Sequence, residues 1–208
     1  MKTGVTILAL MFVAACGRGG VDLPADFAGP GGVAGLVRLC GNPNLLGKTI
    51  DPVDGAGACG ISDAVSVHFI SGVRLSQPAT LNCQTANALA SWVIRDAQPA
   101  VSRLRTSITE MWVLASYACR SRNNQSGARL SEHALGNAID IGAFSLANGD
   151  VLNVENDWGI GKKGAALKRL HQSACGPFGT VLGPLSDRFH YNHFHFDTAS
   201  YRSGAYCR

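Results

Sequence analysis

Cysteine spacing sets the terms on which this chain can fold. Seven cysteines stand at positions 16, 40, 59, 83, 119, 175 and 207 of 208 residues. Cys16 ends an apolar leader, which leaves Cys40, Cys59, Cys83, Cys119, Cys175 and Cys207. Six cysteines in an exported chain read as three disulfides, with fifteen pairings possible. Short loops favour Cys175 with Cys207 and Cys59 with Cys83. No CxxC occurs, which argues against a zinc knuckle or a thioredoxin-type motif. The chain is long enough to bury a core, so the bridges reinforce a fold that packing already supports. Hydrophobic residues make up 46% and charged residues 15%, which excludes a disordered chain. The net charge of +4 is scattered, with no basic run longer than Lys162-Lys163, so a nucleic-acid partner is not expected. Nor does any feature point to a protein partner.

The leader begins with Lys2 and continues as apolar and small residues, with one Thr, from Val5 to Ala15. That order and length fit an export signal. Val13-Ala14-Ala15-Cys16 resembles the bacterial lipobox, where the chain is cut before a Cys that is then acylated; an ordinary secretory signal is the alternative. Residues 1–15 are thus expected to be a lipoprotein signal peptide, with Cys16 lipidated. Gly17, rather than Asp, follows the Cys, which favours the outer membrane, facing the periplasm. Residues 16–37, rich in Gly, Pro and Asp, read as a flexible tether, and 38–208 as the folded domain.

Within the domain, Ala64 to Phe69 alternates weakly as a strand. Gln84 to Ala97 places Ala86, Leu89, Ala90, Val93 and Ala97 at helical spacing, with Thr85 as N-cap and a break or kink at Pro99. Thr109 to Tyr117 reads as a buried strand, Asn137 to Phe144 as another, and Gly164 to Ala174 as a short helix. Phe178 to Leu182 and Asn192 to Asp197 read as short strands. Helices and strands do not alternate regularly. The expected class is α+β: a small, mostly antiparallel sheet flanked by helices and reinforced by disulfides.

Four of six histidines fall in two short segments. In the first, His133 sits on a short turn, Gly136 ends it, and Asp140 projects from the strand that follows, opposite in direction to Ile139 and Ile141. In the second, alternation puts His193, His195 and Asp197 on one strand face and Phe194 and Phe196 on the other, in the core. Two imidazoles about 7 Å apart by strand rise can reach one centre, and a buried carboxylate needs a partner. Imidazole and carboxylate together suit zinc. Geometry alone does not say which of His193 and His195 would bind it. Asp197 reads as a structural or supporting acid, and His68 and His171 as ordinary histidines.

Ser131-x-His133-x-x-Gly136-x-Ala138-x-Asp140, followed by His193-x-His195, resembles the zinc D-Ala-D-Ala peptidases, a group that includes VanY-like carboxypeptidases and the penicillin-insensitive murein endopeptidase. Their fold also occurs in the hedgehog signalling domain. Cys59 to Arg208 more closely resembles the bacterial extensin-like C-terminal domain family, through ASYACRSRNNQ (115–125), ARLSEHALGNAIDI (128–141), ACGPFGTVLGP (174–184), HYNHFHFD (190–197) and the closing YCR (206–208). The resemblance implies a hedgehog/D-Ala-D-Ala-peptidase-like fold with His133, Asp140 and His195 as Zn2+ ligands. It gives His193 catalytic proton transfer, matches His190 to an extra His of the endopeptidase pattern, makes Arg120 a substrate binder and Ser131 a hydrogen-bonding support. VanY-like enzymes carry a Glu two or three residues before the last His; this chain has none, so His193 takes that place. The implied function is hydrolysis of amide bonds in peptidoglycan peptides, by a carboxypeptidase or endopeptidase anchored through its N-terminal lipid. The alternative is a non-catalytic, zinc-containing wall-binding module.

Overall fold

The structure, a computed structural model, describes residues 35–208. The expected signal peptide, Cys16 and residues 16–34 of the tether lie outside the described residues.

Strands β1 (Val37–Leu39) and β2 (Asn42–Thr49) come first, then a separate small hairpin of β3 (Val53–Asp54) and β4 (Gly60–Ile61). Strands β5 (Ala64–Ile70) and β6 (Val73–Asn82) lead to helix α1 (Cys83–Trp92), a π turn (Val93–Ala97) and helix α2 (Gln98–Ser102). The chain returns as β7 (Ile108–Ala115) and, after a long loop, continues as β8 (Ala138–Leu146) and β9 (Val151–Asn153). Helices α3 (Val154–Asp157) and α4 (Gly161–Ala174) precede β10 (Thr180–Leu182), β11 (Phe194–Asp197) and β12 (Tyr206–Cys207).

Ten strands form one sheet in the order β1-β2-β5-β6-β7-β8-β11-β10-β12, with β9 beside β8. Neighbours are antiparallel except β6 with β7 and β10 with β12. The class is α+β and mostly antiparallel, but the sheet is large where a small one was expected. The difference is β1, β2, β6, β9 and β12, which were not anticipated. Strand β2 carries Asn42, Pro43, Asn44 and Gly47, and β6 carries Gln77-Pro78, all poor strand signals. In β6 side chains stand in for part of the ladder. The Val113 amide donates to Ser76 Oγ at 2.9 Å, Gln77 Nε2 donates to the Val113 carbonyl at 2.7 Å, and the Thr80 amide donates to Ser116 Oγ at 3.1 Å.

A parallel β6–β7 pair needs a long crossover, and α1, the π turn and α2 supply it. Asn82, not Thr85, caps α1: its Oδ1 accepts from the Thr85 amide at 2.8 Å, while the buried Thr85 hydroxyl bonds Thr198 Oγ1 at 2.8 Å. The irregularity expected at Pro99 falls just before it. A proline ring inside a continuous α-helix would strike the carbonyl four residues back. The wider π turn ends at Ala97, so Pro99 sits in the first turn of α2.

The core lies between the helices and one face of the sheet. Trp92 packs edge-on against Phe196, with ring centroids 5.1 Å apart, and is also close to Phe144 and Phe178. Leu167, Leu170 and Ala174 of α4 join the same cluster. Phe194 and Phe196 enter this core, and the intervening His195 and Asp197 point to the other face. Strand β7 is buried on one side only: Met111 and Val113 face the core while Trp112 and Leu114 are exposed.

The disulfides join Cys40 to Cys83, Cys59 to Cys119 and Cys175 to Cys207. The third pair is as expected; Cys59 with Cys83 is not formed. Cys83 opens α1 beside the β1–β2 turn, where it meets Cys40, and Cys59 instead ties the β3–β4 hairpin to the loop after β7. Sequence separations of 43, 60 and 32 residues correspond to roughly 4 kcal/mol each in the chain-entropy account. Peptide mapping of unreduced protein is expected to recover these three linked pairs and no free thiol among the six. Recovery of a Cys59–Cys83 peptide would contradict this topology.

Candidate metal centre

The loop from Ser116 to Asn137 crosses the end of the sheet and carries the first half of the site. Ser131 starts a 3-10 turn, Glu132–Leu135, in which His133 is buried. Gly136 ends the turn at φ +67°, where a Cβ would come within 2.4 Å of Ile61. A left-handed residue with no side chain is therefore required there. Strand β8 starts two residues later and presents Asp140. Its neighbour β11 pairs in register, with His195 directly opposite Asp140 and Phe196 opposite Ile139. His193 lies just ahead of β11 rather than on it, yet reaches the same carboxylate: its Nε2 is 3.6 Å from Asp140 Oδ1.

His133, Asp140, His190, His193, His195, Arg120 and Ser131 all border one cleft of about 410 Å³. Each of the four imidazoles has one nitrogen held by an oxygen acceptor, which fixes it as the donor. His133 Nδ1 donates to the Ser116 carbonyl, and His190 Nδ1 donates to Asp187 at 2.7 Å. His193 Nδ1 donates to Asn192 Oδ1 at 2.9 Å, and His195 Nε2 donates to Asp197 at 3.1 Å. The other ring nitrogens of His133 and His195 converge on Asp140. His133 Nε2 is 3.2 Å from His195 Nδ1 and 3.2 Å from Asp140 Oδ2, and His195 Nδ1 is 2.9 Å from Asp140 Oδ1.

These three buried residues form a group that could hold a metal ion. Ligands at about 2.0–2.1 Å around a tetrahedral ion are separated by about 3.3 Å, close to the spacings seen. A proton can also occupy part of this space. Burial disfavours charge on His195, but the carboxylates of Asp140 and Asp197 outweigh it and raise its pKa to about 9. Burial likewise pushes Asp140 up, and hydrogen bonds from His133 and His195 override that, holding it well below the usual carboxylate range. A proton on His195 Nδ1 serves Asp140 Oδ1. Asp140 Oδ2 is left to face His133 Nε2 at 3.2 Å. A cation between the three donors satisfies all of them, with Ser116 and Asp197 orienting the rings from behind.

The remaining residues have separate places. No hydrogen bond joins the Ser131 hydroxyl to the three among the described residues; the backbone of Ser131 pairs with Arg120 instead, its amide 3.0 Å from the Arg120 carbonyl. Arg120 is half-buried, and its guanidinium bonds only the Ser121 carbonyl at 3.4 Å among the described residues, while Arg122 pairs with Glu132 at 3.4 Å. Asp187, Asn192 and Ser116 were not anticipated. Asp187 precedes His190 by three residues, a spacing legible in the sequence; the Ser116 carbonyl carries no side-chain signal at all. Burial lowers the pKa of His193. His68 and His171 stand outside the cleft; His171 packs between Trp158 and Phe194 on the helix side.

The full chain is expected to take up one divalent cation, with Ala at His133, Asp140 or His195 each abolishing uptake. Because the cation displaces the proton of His195, uptake between pH 7 and 8 should release close to one proton per chain. Elemental analysis and proton release in weakly buffered solution check both; full occupancy in all three variants would place the ion elsewhere.

No curated protein and no solved structure matches. The family described as extensin-like protein C-terminus matches residues 43–208. That span takes in both histidine segments and every strand from β5 onward, and starts earlier than the Cys59–Arg208 stretch whose motifs suggested it. With most of its length inside that match, the chain belongs to the extensin-like protein C-terminus family.

Proposed function

We propose that the cleft hydrolyses amide bonds in peptidoglycan peptides, with zinc held by His133, Asp140 and His195. The observation that carries this reading is the convergence of His133 Nε2 and His195 Nδ1 on the buried carboxylate of Asp140, inside a cleft that also holds Arg120, which has no carboxylate partner among the described residues. The resemblance of both histidine segments to zinc D-Ala-D-Ala peptidases, and with it a hedgehog-like fold, supports the same reading. The leader ending at Cys16 supports a lipid anchor, placing the domain in the cell envelope at the periplasmic side of the outer membrane.

Bound there, zinc would supply a Lewis acid for the scissile carbonyl and make water a better nucleophile at neutral pH. His193 Nε2, bare because Nδ1 is committed to Asn192, takes the proton of the attacking water and passes it to the leaving amine nitrogen. His190, set by Asp187, presents its Nε2 nearby; its ring is 5.2 Å from that of His193. Arg120, with no carboxylate partner among the described residues, binds a carboxylate of the peptide. Buried Asp197 holds the His195 ring.

A non-catalytic wall-binding module is the second reading, favoured by one observation: no Glu precedes His195 at the place where related peptidases carry their general base. Mass spectrometry of peptidoglycan fragments incubated with purified protein, with and without chelator, separates the two. Chelator-sensitive cleavage is expected, and a metal-loaded protein that cleaves no fragment would establish the module. His193→Ala should keep its metal and lose about 10²–10⁴-fold in rate; unchanged activity would make His193 structural. Cys16→Ser should move the protein out of the membrane fraction, and unchanged fractionation would remove the anchor.

A further inference from the structure

The chain beyond β11 builds one wall of the cleft. The Thr198 amide donates to the Asn137 carbonyl at 3.0 Å, the Tyr206 amide to Gly179 at 2.7 Å and the Arg208 amide to Val181 at 2.9 Å, and Cys207 is bonded to Cys175. The tail is thus held at both ends. Between and on these supports, Tyr201 and Tyr206 border the cleft with 40% and 50% of their surface exposed. The Tyr201 hydroxyl is tied to Thr180 Oγ1 at 3.1 Å, which fixes its ring. Asn123 and Asn124 also border the cleft. Both adopt left-handed backbone, at φ +54° and +55°, and their exposed side-chain amides have no protein partner among the described residues.

Two aromatic rings and two free amides around one cleft limit what can fill it. A lipid chain would leave the amides and Arg120 without a polar partner from the ligand. A phosphate polymer would meet the carboxylates of Asp140, Asp187 and Asp197. A pyranose ring has the matching chemistry: its axial C–H bonds, polarised by neighbouring oxygens, can face the negative side of an aromatic ring, for Tyr206 the side away from the Arg208 guanidinium, which lies 5.5 Å from the ring centroid, and its hydroxyl and acetamido groups can pair with amides.

We propose that Tyr201 and Tyr206, with Asn123 and Asn124, form a sugar subsite that takes N-acetylated amino-sugar rings, so that the cleft receives the glycan as well as the peptide of its polymer. This rests on the wall-polymer reading above for the identity of the polymer, and its test needs no hydrolysis. The probe is the β-1,4 tetramer of N-acetylglucosamine, titrated into full-length protein and followed by NMR shifts. Wild type is expected to bind, Tyr206→Ala to weaken binding at least tenfold, and Tyr206→Trp, which keeps an aromatic face, to retain it. Unreduced peptide mapping verifies that each variant keeps the Cys175–Cys207 bond. No binding by wild type at millimolar sugar, or equal binding by Tyr206→Ala, overturns the subsite. Cleavage of sugar-free stem peptides is measured separately. Tetramer binding with no cleavage keeps the subsite and removes the hydrolase; cleavage with no tetramer binding does the reverse.

Discussion

The buried carboxylate of Asp140 is the charge around which this molecule is arranged. It lies 6% exposed in the middle of a sheet, where an unpaired carboxylate would cost several kcal/mol. The register of β8 against β11 puts His195 opposite it, and the 3-10 turn ended by Gly136 brings His133 to its other oxygen. The Ser116 carbonyl and Asp197 then fix the two rings. Removing any one of these leaves a buried polar group without its partner. That is why so many separate elements end at this point.

Two of the disulfides serve the same place. Cys59–Cys119 fastens the β3–β4 hairpin to the loop that holds Arg120 and leads to His133, and Cys175–Cys207 fastens the tail that carries Tyr206. Loops make up most of the cleft, and loops have the least packing to hold them. Cross-links close to the cleft therefore stiffen the part of the domain that the core supports least. Cys40–Cys83 does a different job, tying the outer strands to the start of α1.

Much of the site was legible because its chemistry is local in sequence. Alternation from His193 to Asp197 separates polar from aromatic side chains, and Gly136 marks where a turn must end before Asp140. What could not be read depended on contacts between distant segments. Strand β6 contains Gln77-Pro78 and is completed by side chains of Ser76 and Gln77 on Val113, a substitution that no strand pattern encodes. The expected Cys59–Cys83 bridge followed loop length, whereas the sheet order carries Cys83 to Cys40. The acceptor behind His133 is a backbone carbonyl, which every residue possesses, so nothing in the sequence could single out Ser116.

The alternation along β11 has a consequence for how such a chain can change over generations. Phe194 and Phe196 belong to the packed interior; His195 and Asp197 belong to the cleft; and the two sets touch different partners. Substitutions on the cleft side leave the aromatic interior intact, although taking away one partner alone strands the buried group that faced it. Coordinated replacement of the buried cluster by packed apolar residues can therefore leave the architecture standing. The aromatic side of the strand thus answers for the fold, and the polar side for whatever the cleft does.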